Sequence, residues 1–413
     1  MNDRINRPEY MKRLVEYKDK DVVKIVTGIR RCGKSTLLDL FEDYLLDNGV
    51  ERDSIIHMNM ESLRFRDITD HMSLYEYVSD RMAVGKKNYL IFDELQAVAH
   101  WEKAIESFRL DFDVDIYITG SNAYMLSSEF STLLSGRYVE IRMLPLSFKE
   151  FLSFYQFAPN VPVDDKFQKY LQFGGMPILG QFQFNEARSF EALEGIYNTV
   201  ILRDVLERNK TADQALLHKL VLFLCGNIGS VTSPNNIGNV LTDEGDVQNI
   251  KKKTGKGVAG KTVDKYIHML RDAFVFYSPG RYDVKGKQLL KTLEKNYIID
   301  IGFRNMLLGT RDADRGHILE NVVYLELLRR DYRVYIGKVG DTEIDFVAEK
   351  PSEKLYVQVA ETMLAESVRE RELRPLRSIR DNYEKIVLTM DKSYITSYEG
   401  IKSLNIIDFL LSD

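Results

Sequence analysis

Short apolar runs alternate with amphipathic helical patterns through roughly the first third of the chain. The runs are rich in β-branched residues and read DVVKIVTGI, IIHMNM, YLIFDEL, DIYITGS and YVEIRML, at residues 21–29, 55–60, 89–95, 115–121 and 138–144. Helical patterns lie between them, at residues 35–49, 72–82 and 101–112. Near-continuous apolar strands separated by helices are typical of a parallel sheet covered on both faces. The pattern predicts an α/β nucleotide-binding architecture.

The pattern changes beyond residue 152. A mainly helical stretch comes first, two further helical patterns and a hairpin follow, and the last hundred or so residues mix helices with strands. We therefore expect four domains. They are an α/β domain at 1–152, a helical connector or lid at 153–212, a winged helix at 213–310 and a nuclease-like α/β domain at 311–413.

The composition is that of a globular protein. The chain has 413 residues and a mass of 47.9 kDa; 44% of the residues are hydrophobic, 29% are charged, and the mean hydropathy is −0.26. No apolar run approaches the ~20 residues of a membrane helix, and the N-terminal MNDRINRPEYMKRL lacks the apolar core of a secretory signal. The two cysteines, Cys32 and Cys225, make neither a disulfide framework nor a zinc site. We expect a cytoplasmic protein with no membrane partner.

Residues 28–35, GIRRCGKS, fit the phosphate-binding pattern G-x-x-x-x-G-K-[ST] between an apolar run and a helix. The two glycines allow the tight turn that points successive N–H groups at a phosphate. Lys34 is expected to reach the β- and γ-phosphates of a nucleotide, and Ser35 to ligate Mg²⁺. A chance turn of glycines is disfavoured in this context. The predicted nucleotide contacts are Gly28, Cys32, Gly33, Lys34, Ser35 and Thr36.

Two acids, Asp93 and Glu94, follow the apolar residues YLIF at 89–92. The carboxyl end of a parallel strand lies at the sheet edge where ligands bind. Asp93 is therefore expected to hold Mg²⁺ through water, and Glu94 to act as the base that polarises the attacking water. The alternative is a solvated acidic strand end, which the phosphate-binding pattern upstream disfavours.

The run DIYITGS ends in small polar residues. One of Thr119, Ser121 and Asn122 is expected to hydrogen-bond the γ-phosphate or the attacking water; a capped turn is an equally good explanation for any single one of them. Arg137 precedes the next strand, where an arginine can act as a finger on the charge of the transition state. Its alternative is a surface arginine paired with an acid.

At this point the motifs GIRRCGKST, IFDELQ, HWEKAIESF, ITGSNAYMLSSEFSTLLSGRY and LPLSFKEF resemble a family of bacterial and archaeal AAA-type P-loop ATPases. Members of that family carry a C-terminal winged helix and a restriction-endonuclease-like region. The resemblance implies ATP as the nucleotide, Ser121 and Asn122 as the sensor region, and Arg137 as the arginine finger. It extends over essentially the whole chain and is most specific before residue 152.

A basic segment interrupts an acidic chain. Residues 251–291 contain eleven Lys or Arg and three acids, which gives this segment a net charge of +8. Because the whole chain has a net charge of −5, the remaining residues carry −13. The helical pattern at 260–273 and the hairpin after it suggest a helix-turn-helix with a wing, which binds duplex DNA through phosphates. The alternative is a dock for another protein. The predicted DNA contacts are Lys251, Lys252, Lys253, Lys261 and Lys265.

The last domain shows the order of acids found in PD-(D/E)-x-K nucleases. Glu320 lies in a helical pattern, Asp345 in TEIDFV, and Gln358 near the end of KLYVQVA. The lysine position of the motif is Ala360. Without a cation to position the metal-bound hydroxide, we expect a degenerate site that does not cleave DNA.

The sequence thus predicts an ATP hydrolase that uses Mg²⁺ and is coupled to a C-terminal module for DNA or protein. Its expected partners are ATP, duplex DNA, and another copy of the chain or a different protein. The alternative is a nucleotide-controlled switch or scaffold with little turnover. An active nuclease gated by ATP is disfavoured by Ala360.

Overall fold

The computed structural model describes residues 6–126, 136–207, 209, 212–243, 257–286, 288–290, 294–310, 314–392 and 395–412. Two compact units make up the chain. The first consists of Met1–Pro145 with Asp272–Phe274, and the second of Leu146–Arg271 with Val275–Asp413.

The first unit is built on a parallel sheet. Its strands, in the part of the chain that is described, are β1 (Val23–Thr27), β2 (Ile55–Asn59), β3 (Asn88–Asp93), β4 (Val114–Gly120) and β5 (Tyr138–Arg142). They lie in the order β2-β3-β4-β1-β5, and every neighbouring pair is parallel. The helices of this unit are α1 (Pro8–Glu16), α2 (Lys34–Asp47), α3 (His71–Ser79) and α4 (Trp101–Asp111). The five predicted strands and the three predicted helices are therefore confirmed.

Burial explains why these segments adopt this fold. Every residue of β1 and of β3 is buried, as expected for central strands with helices on both faces. The buried face of α2 carries Leu37, Leu38, Phe41 and Leu45, the spacing of an amphipathic helix. The β4 strand ends on Gly120, so the polar residues after it begin at the carboxyl edge of the sheet.

The first half of the second unit is mainly helical. Its helices are α5 (Phe148–Phe154), α6 (Val163–Phe173), α7 (Glu186–Thr199), α8 (Gln214–Gly226), α9 (Pro234–Asp243) and α10 (Gly260–Asp272), with a π-helical turn at Val200–Leu206 after α7. Two short antiparallel pairs join this part to later residues: β6 (Val231–Thr232) with β10 (Glu294–Lys295), and β7 (Phe276–Tyr277) with β11 (Tyr297–Ile298).

A mixed sheet forms the rest of the second unit. Its strands are β8 (Arg281–Asp283), β9 (Gln288–Leu290), β12 (Arg333–Val339), β13 (Thr342–Lys350), β14 (Glu353–Val359), β15 (Glu384–Thr389), β16 (Ser397–Tyr398) and β17 (Ile401–Asn405). Within the described residues they lie in the order β16-β17-β15-β14-β13-β12-β8-β9. The accompanying helices are α11 (Ile301–Leu308), α12 (Arg315–Arg329), α13 (Glu366–Arg377) and α14 (Ile406–Leu411). Helical and sheet-containing C-terminal regions are thus present, as predicted.

The hairpin of β8 and β9 belongs to this sheet. The sequence assigns the hairpin to a wing, but β8 pairs in parallel with β12, with Ile336 opposite Arg281. A strand of three residues is too short for its sequence pattern to indicate which strand, about fifty residues away, it pairs with. None of the helices in the described residues is long and apolar enough to cross a membrane.

Candidate functional site

The loop of residues 28–35, called the P-loop here, connects β1 to α2 at the carboxyl edge of the parallel sheet. Gly28 has φ +149°, and a Cβ at this position would stand 2.2 Å from the carbonyl oxygen of Met143. Gly33, with φ +107°, precedes the first residue of α2. Both positions require glycine, because a side chain meets backbone at the first and strains the backbone at the second. The loop leads directly into the N-terminus of α2, where free backbone N–H groups and the helix dipole favour an anion.

Lys34 lies against the P-loop. Its ammonium donates to the carbonyl oxygens of Gly28, at 3.0 Å, and Ile29, at 3.1 Å. The same nitrogen lies 3.8 Å from Oε1 of Glu94. The side chain of Lys34 is 4% exposed. The structure therefore brings the predicted phosphate lysine next to the predicted base.

Asp93 ends β3 with both carboxylate oxygens engaged. Oδ2 accepts a hydrogen bond of 2.7 Å from the amide of Asn59, and Oδ1 accepts one from the hydroxyl of Thr119. Asn59 ends β2 directly opposite Asp93 in the sheet register. Sequence reasoning missed Asn59, although its position at a strand end next to β3 was a usable signal.

Glu94 follows with its backbone in the left-handed region, at φ +52°. Such a conformation is uncommon for a residue other than glycine and is strained. The hydroxyl of Thr119 accepts its N–H at 2.9 Å. Its carboxylate accepts a hydrogen bond from the amide of Gln96 and lies 4.0 Å from the guanidinium of Arg30. Gln96 was also missed, because a glutamine two residues after the acids has no distinctive pattern.

The residues after β4 are completely buried at the same edge. Ser121 and Asn122 are 0% exposed, and Gln96 donates to the Ser121 hydroxyl at 3.4 Å. Among the three polar candidates named from the sequence, Thr119 contacts both acids, through the Asp93 side chain and the Glu94 backbone. Ser121 and Asn122 remain predicted sensor residues.

Arg7 supports the P-loop from the N-terminal side of the chain. Its guanidinium donates to the carbonyl oxygens of Cys32, at 3.2 Å, and Leu144, at 2.9 Å, and the residue is 2% exposed. Burial raises the pKa of the Cys32 thiol. Ser35 is exposed, and Thr36 is half-buried. The sequence offered no signal for Arg7, because a single arginine before a helix is unremarkable.

Arg137 lies at the amino ends of the strands, opposite the carboxyl ends that carry the P-loop. Its carbonyl oxygen accepts the N–H of Val23, the first residue of β1, at 3.0 Å, and β5 begins at the next residue. The P-loop follows the opposite end of β1, which is about 16 Å away for a five-residue strand. The side chain of Arg137 is exposed. The structure therefore does not bring Arg137 to the P-loop of its own chain.

The predicted DNA contacts are only partly described. Lys261 and Lys265 are exposed on α10, together with Asp264 and His268, while Val263 and other apolar residues form the opposite, buried face. Lys251, Lys252 and Lys253 lie outside the described residues.

The three predicted nuclease-type residues form a cluster in the second unit, called the tail cluster here. It comprises Glu320 on α12, Asp345 on β13 and Gln358 on β14, together with the nearby Glu343 on β13 and with Lys295 on β10, which the sequence did not indicate. Asp345 donates its N–H to Gln358 Oε1 at 3.4 Å. Ala360, at the lysine position of the motif, is buried.

Burial and neighbouring charges together shift the pKa values in the tail cluster. Burial disfavours the ammonium of Lys295, but the charges of Glu320, Asp345 and Glu343 outweigh burial and raise its pKa. Burial and the charge of Glu320 raise the pKa of Asp345 well above its ordinary value. Burial opposes ionisation of Glu320 too, yet hydrogen bonding from His317 and the charge of Lys295 hold its pKa below the usual range. The cluster therefore holds a charged lysine beside an ionised Glu320.

Relatives from other organisms match this chain over most of its length. An uncharacterized protein of Haemophilus influenzae is 38% identical over 413 residues, which covers 98% of this chain and 98% of the relative. An uncharacterized protein of Methanocaldococcus jannaschii is 27% identical over 372 residues, or 87% of this chain and 79% of the relative.

Family models and a solved structure match parts of the chain. Residues 20–152 match an AAA domain, and residues 164–314 match a domain of unknown function (DUF8612). The Walker-type ATPase PABY2304 of Pyrococcus abyssi is similar at 15% identity with a TM-score of 0.49, over 73% of this chain and 95% of that chain.

Proposed function

Because the chain belongs to the same family as the Haemophilus influenzae protein and carries an AAA domain at residues 20–152, we propose that it binds and hydrolyses ATP with Mg²⁺. The nucleotide state would control a C-terminal module that binds DNA or a protein. One observation carries the proposal: the Lys34 ammonium lies 3.8 Å from Glu94, with both side chains at most 10% exposed. A phosphate-binding cation and a base thus meet at the mouth of a P-loop.

The oxygen donors at this edge fit Mg²⁺. The ion prefers a few carboxylate or hydroxyl oxygens together with water and phosphate, and Asp93 and Ser35 offer such donors. Held there by Asp93 and Ser35, Mg²⁺ would neutralise charge on the β- and γ-phosphates. Asn59 and Thr119 orient the Asp93 carboxylate. Thr119 also fixes the Glu94 backbone, which places the base for the attacking water.

Arg137 acts in a neighbouring subunit under this proposal. Its place at the amino edge of the sheet separates it from its own P-loop by about the length of β1. A second copy that presents Arg137 to the phosphates would complete the site. An arginine supplied in trans stabilises the charge of the transition state and accelerates phosphoryl transfer strongly.

The test is steady-state phosphate release by wild type, Glu94→Gln and Lys34→Ala, together with ATP affinity by calorimetry. We expect Glu94→Gln to lower turnover by about 10²–10⁴-fold, the usual contribution of a general base, while ATP binding is kept. Lys34→Ala should weaken ATP binding itself, because it removes the phosphate contact. Lys12→Ala, an exposed lysine of α1, is the control. Turnover of Glu94→Gln equal to wild type would remove Glu94 from the proposed role.

A switch with little turnover is the second candidate. The observation that favours it is the number of groups around the Glu94 carboxylate: the Gln96 amide donates to it, and Lys34 and Arg30 lie 3.8 Å and 4.0 Å away. A carboxylate already engaged by these groups is less available to an attacking water molecule. Tight ATP binding without phosphate release, in wild type and Gln96→Ala alike, would favour the switch.

The basic segment supports duplex DNA as the partner of the module. Lys261 and Lys265 lie exposed on one helix within a segment of net charge +8. The double variant Lys261→Glu/Lys265→Glu should weaken duplex binding and reduce the slope of its salt dependence by about one per lost phosphate contact. Lys12→Glu/Lys86→Glu changes the net charge equally at two exposed lysines of the first unit and should leave binding unchanged. Equal weakening in both double variants would assign the effect to net charge alone.

A further inference from the structure

The side chain of Lys295 reaches carboxylates from two other elements. Its Nζ lies 2.9 Å from Oε1 of Glu320, 2.8 Å from Oε1 of Glu343 and 3.7 Å from Oδ1 of Asp345. The lysine side chain is 7% exposed. Glu320 comes from α12, whereas Glu343 and Asp345 come from β13. The ammonium is thus held among three acids of the tail cluster.

The remaining polar atoms of the tail cluster are occupied by protein groups. Oδ2 of Asp345 accepts the N–H of Val359 at 2.8 Å, and the amide nitrogen of Gln358 donates to Glu372 at 2.9 Å. The hydroxyl of Tyr297 donates to Oε1 of Glu320 at 2.5 Å. The acids are therefore satisfied by N–H and O–H donors.

We propose that the ammonium of Lys295 occupies the place at which a nuclease of this fold holds its divalent cation, so that the tail cluster is a metal-free site with a built-in cation. The motif residues of the fold imply a metal ion there, but the residues present do not fit one. The acid oxygens that would ligate it are the oxygens that contact Lys295. A metal ion at this place would have to displace the ammonium and its ion pairs with Glu320 and Glu343.

The strand on which Lys295 lies gives its ammonium a second structural role. It lies on β10, which pairs with β6 of the helical part of the second unit, with Lys295 opposite Val231. A metal ion bound by Glu320, Asp345 and Gln358 would join α12, β13 and β14. The lysine joins α12 and β13 to the β6–β10 pair, because its own backbone belongs to that pair. The built-in cation therefore fastens the helical part of the unit to the sheet that follows it.

Mn²⁺ binding to the full-length protein tests the proposal. All variants carry Asp93→Asn, which removes the carboxylate proposed for the nucleotide-bound ion, and free Mn²⁺ is measured by electron paramagnetic resonance. We expect Lys295→Ala to gain one bound Mn²⁺ per chain relative to the parent, and Lys295→Ala/Asp345→Asn to lose it again. Lys354→Ala is the matched control, since Lys354 pairs with Glu349 on the same sheet at 2.7 Å and should yield no new site.

Two results would overturn the proposal. One is a Mn²⁺ ion bound by the parent with Lys295 in place and lost in Asp345→Asn, since the metal and the ammonium would then coexist. The other is a folded Lys295→Ala protein with no added Mn²⁺. If Lys295→Ala does not fold, the comparison of the parent with Asp345→Asn decides alone: equal Mn²⁺ binding supports the proposal, and a loss in Asp345→Asn contradicts it.

Discussion

Asp300 shows how one buried carboxylate can set a pH response. It caps α11, and its Oδ1 accepts the N–H of Gly302 at 2.9 Å. Its Oδ2 accepts the N–H of Gly175 at 2.6 Å. Burial raises the pKa of Asp300 to about 7, against the opposing effect of these N–H donors. The glycines at 174 and 175 fit this contact, since a Cβ at Gly174 would stand 1.9 Å from Oδ1 of Asp300.

The raised pKa of Asp300 predicts that the second unit loses stability as the pH rises from about 4 to about 7. In this window the folded state keeps a proton on Asp300 that the unfolded state, with a pKa of about 3.9, has released. The free energy of unfolding should fall by up to about 1.4 kcal/mol per pH unit and become independent of this group above pH 7. Urea unfolding at a series of pH values measures the slope.

The control for this prediction is a second N-cap aspartate. Asp300→Asn should reduce the slope between pH 4 and pH 7 by the contribution of this group and leave that of other buried acids, such as Asp345 with its raised pKa. Asp213→Asn, at the exposed N-cap of α8, should keep the slope. A slope in Asp300→Asn equal to that of wild type would assign the pH dependence to other groups.

Individual residues also show what could be predicted from the sequence and what could not. Lys34, Asp93 and Glu94 were identifiable because a motif or a strand end fixes where they lie. Thr119 could not be separated from Ser121 and Asn122, since all three follow the same strand and only side-chain direction distinguishes them. Lys295 was invisible, because its partners Glu320 and Asp345 lie 25 and 50 positions away and only the tertiary fold brings them together.

Among the elements, α1 and the residue before it form a brace for the P-loop. Arg7 links the carbonyl of Cys32, inside the loop, to that of Leu144, which follows β5. Tyr10 of α1 adds a hydrogen bond of 3.1 Å from the Leu144 N–H to its hydroxyl. The helix thus fixes the loop against the edge strand.

We expect Arg7→Ala to weaken ATP binding about tenfold. A hydrogen bond to a charged donor contributes about 1.5–3 kcal/mol, and part of that loss would appear as disorder of the P-loop. Calorimetric titration with ATP measures the affinity, and Lys12→Ala on the exposed face of α1 is the control. If a folded Arg7→Ala protein binds ATP with the wild-type affinity, then Arg7 stabilises the fold but does not support ATP binding.

Some helices and strands could be predicted from the sequence, whereas the pairing of others could not. The strands of the first unit were predictable because each is a long apolar run, and the helix at 260–273 because its apolar spacing is regular; it is observed as Gly260–Asp272. The hairpin pattern that follows the helix at 260–273 is assigned to a wing, because the strands β8, which is half-buried, and β9, which is exposed, are too short to indicate that β8 pairs with β12. Long-range pairing is decided by tertiary packing, which local patterns do not contain.

For the whole molecule, the position of Arg137 predicts complementation between inactive chains. Glu94→Gln and Arg137→Ala should each be nearly inactive alone. When mixed, an Arg137→Ala chain contributes an intact Glu94 and a Glu94→Gln chain contributes an intact arginine, so one kind of interface is complete. Phosphate release by the mixture should recover to a fraction of the wild-type rate and rise with protein concentration.

The matched control for complementation is a mixture of Glu94→Gln with Lys34→Ala/Arg137→Ala. No interface in that mixture combines Lys34, Glu94 and Arg137, so it should stay inactive. Equal activity in both mixtures, or a wild-type rate per chain that is independent of concentration, contradicts an arginine supplied by a neighbour.

The pairing of β8 with β12 restricts how this chain can be divided or recombined. A cut anywhere between residues 291 and 332 separates two strands from the sheet that they complete. Either fragment would then carry an unpaired strand edge, a surface prone to self-association. The mixed sheet of the second unit therefore cannot be transferred to another protein by residues after 332 alone, and a viable exchange must carry residues 281–290 with them.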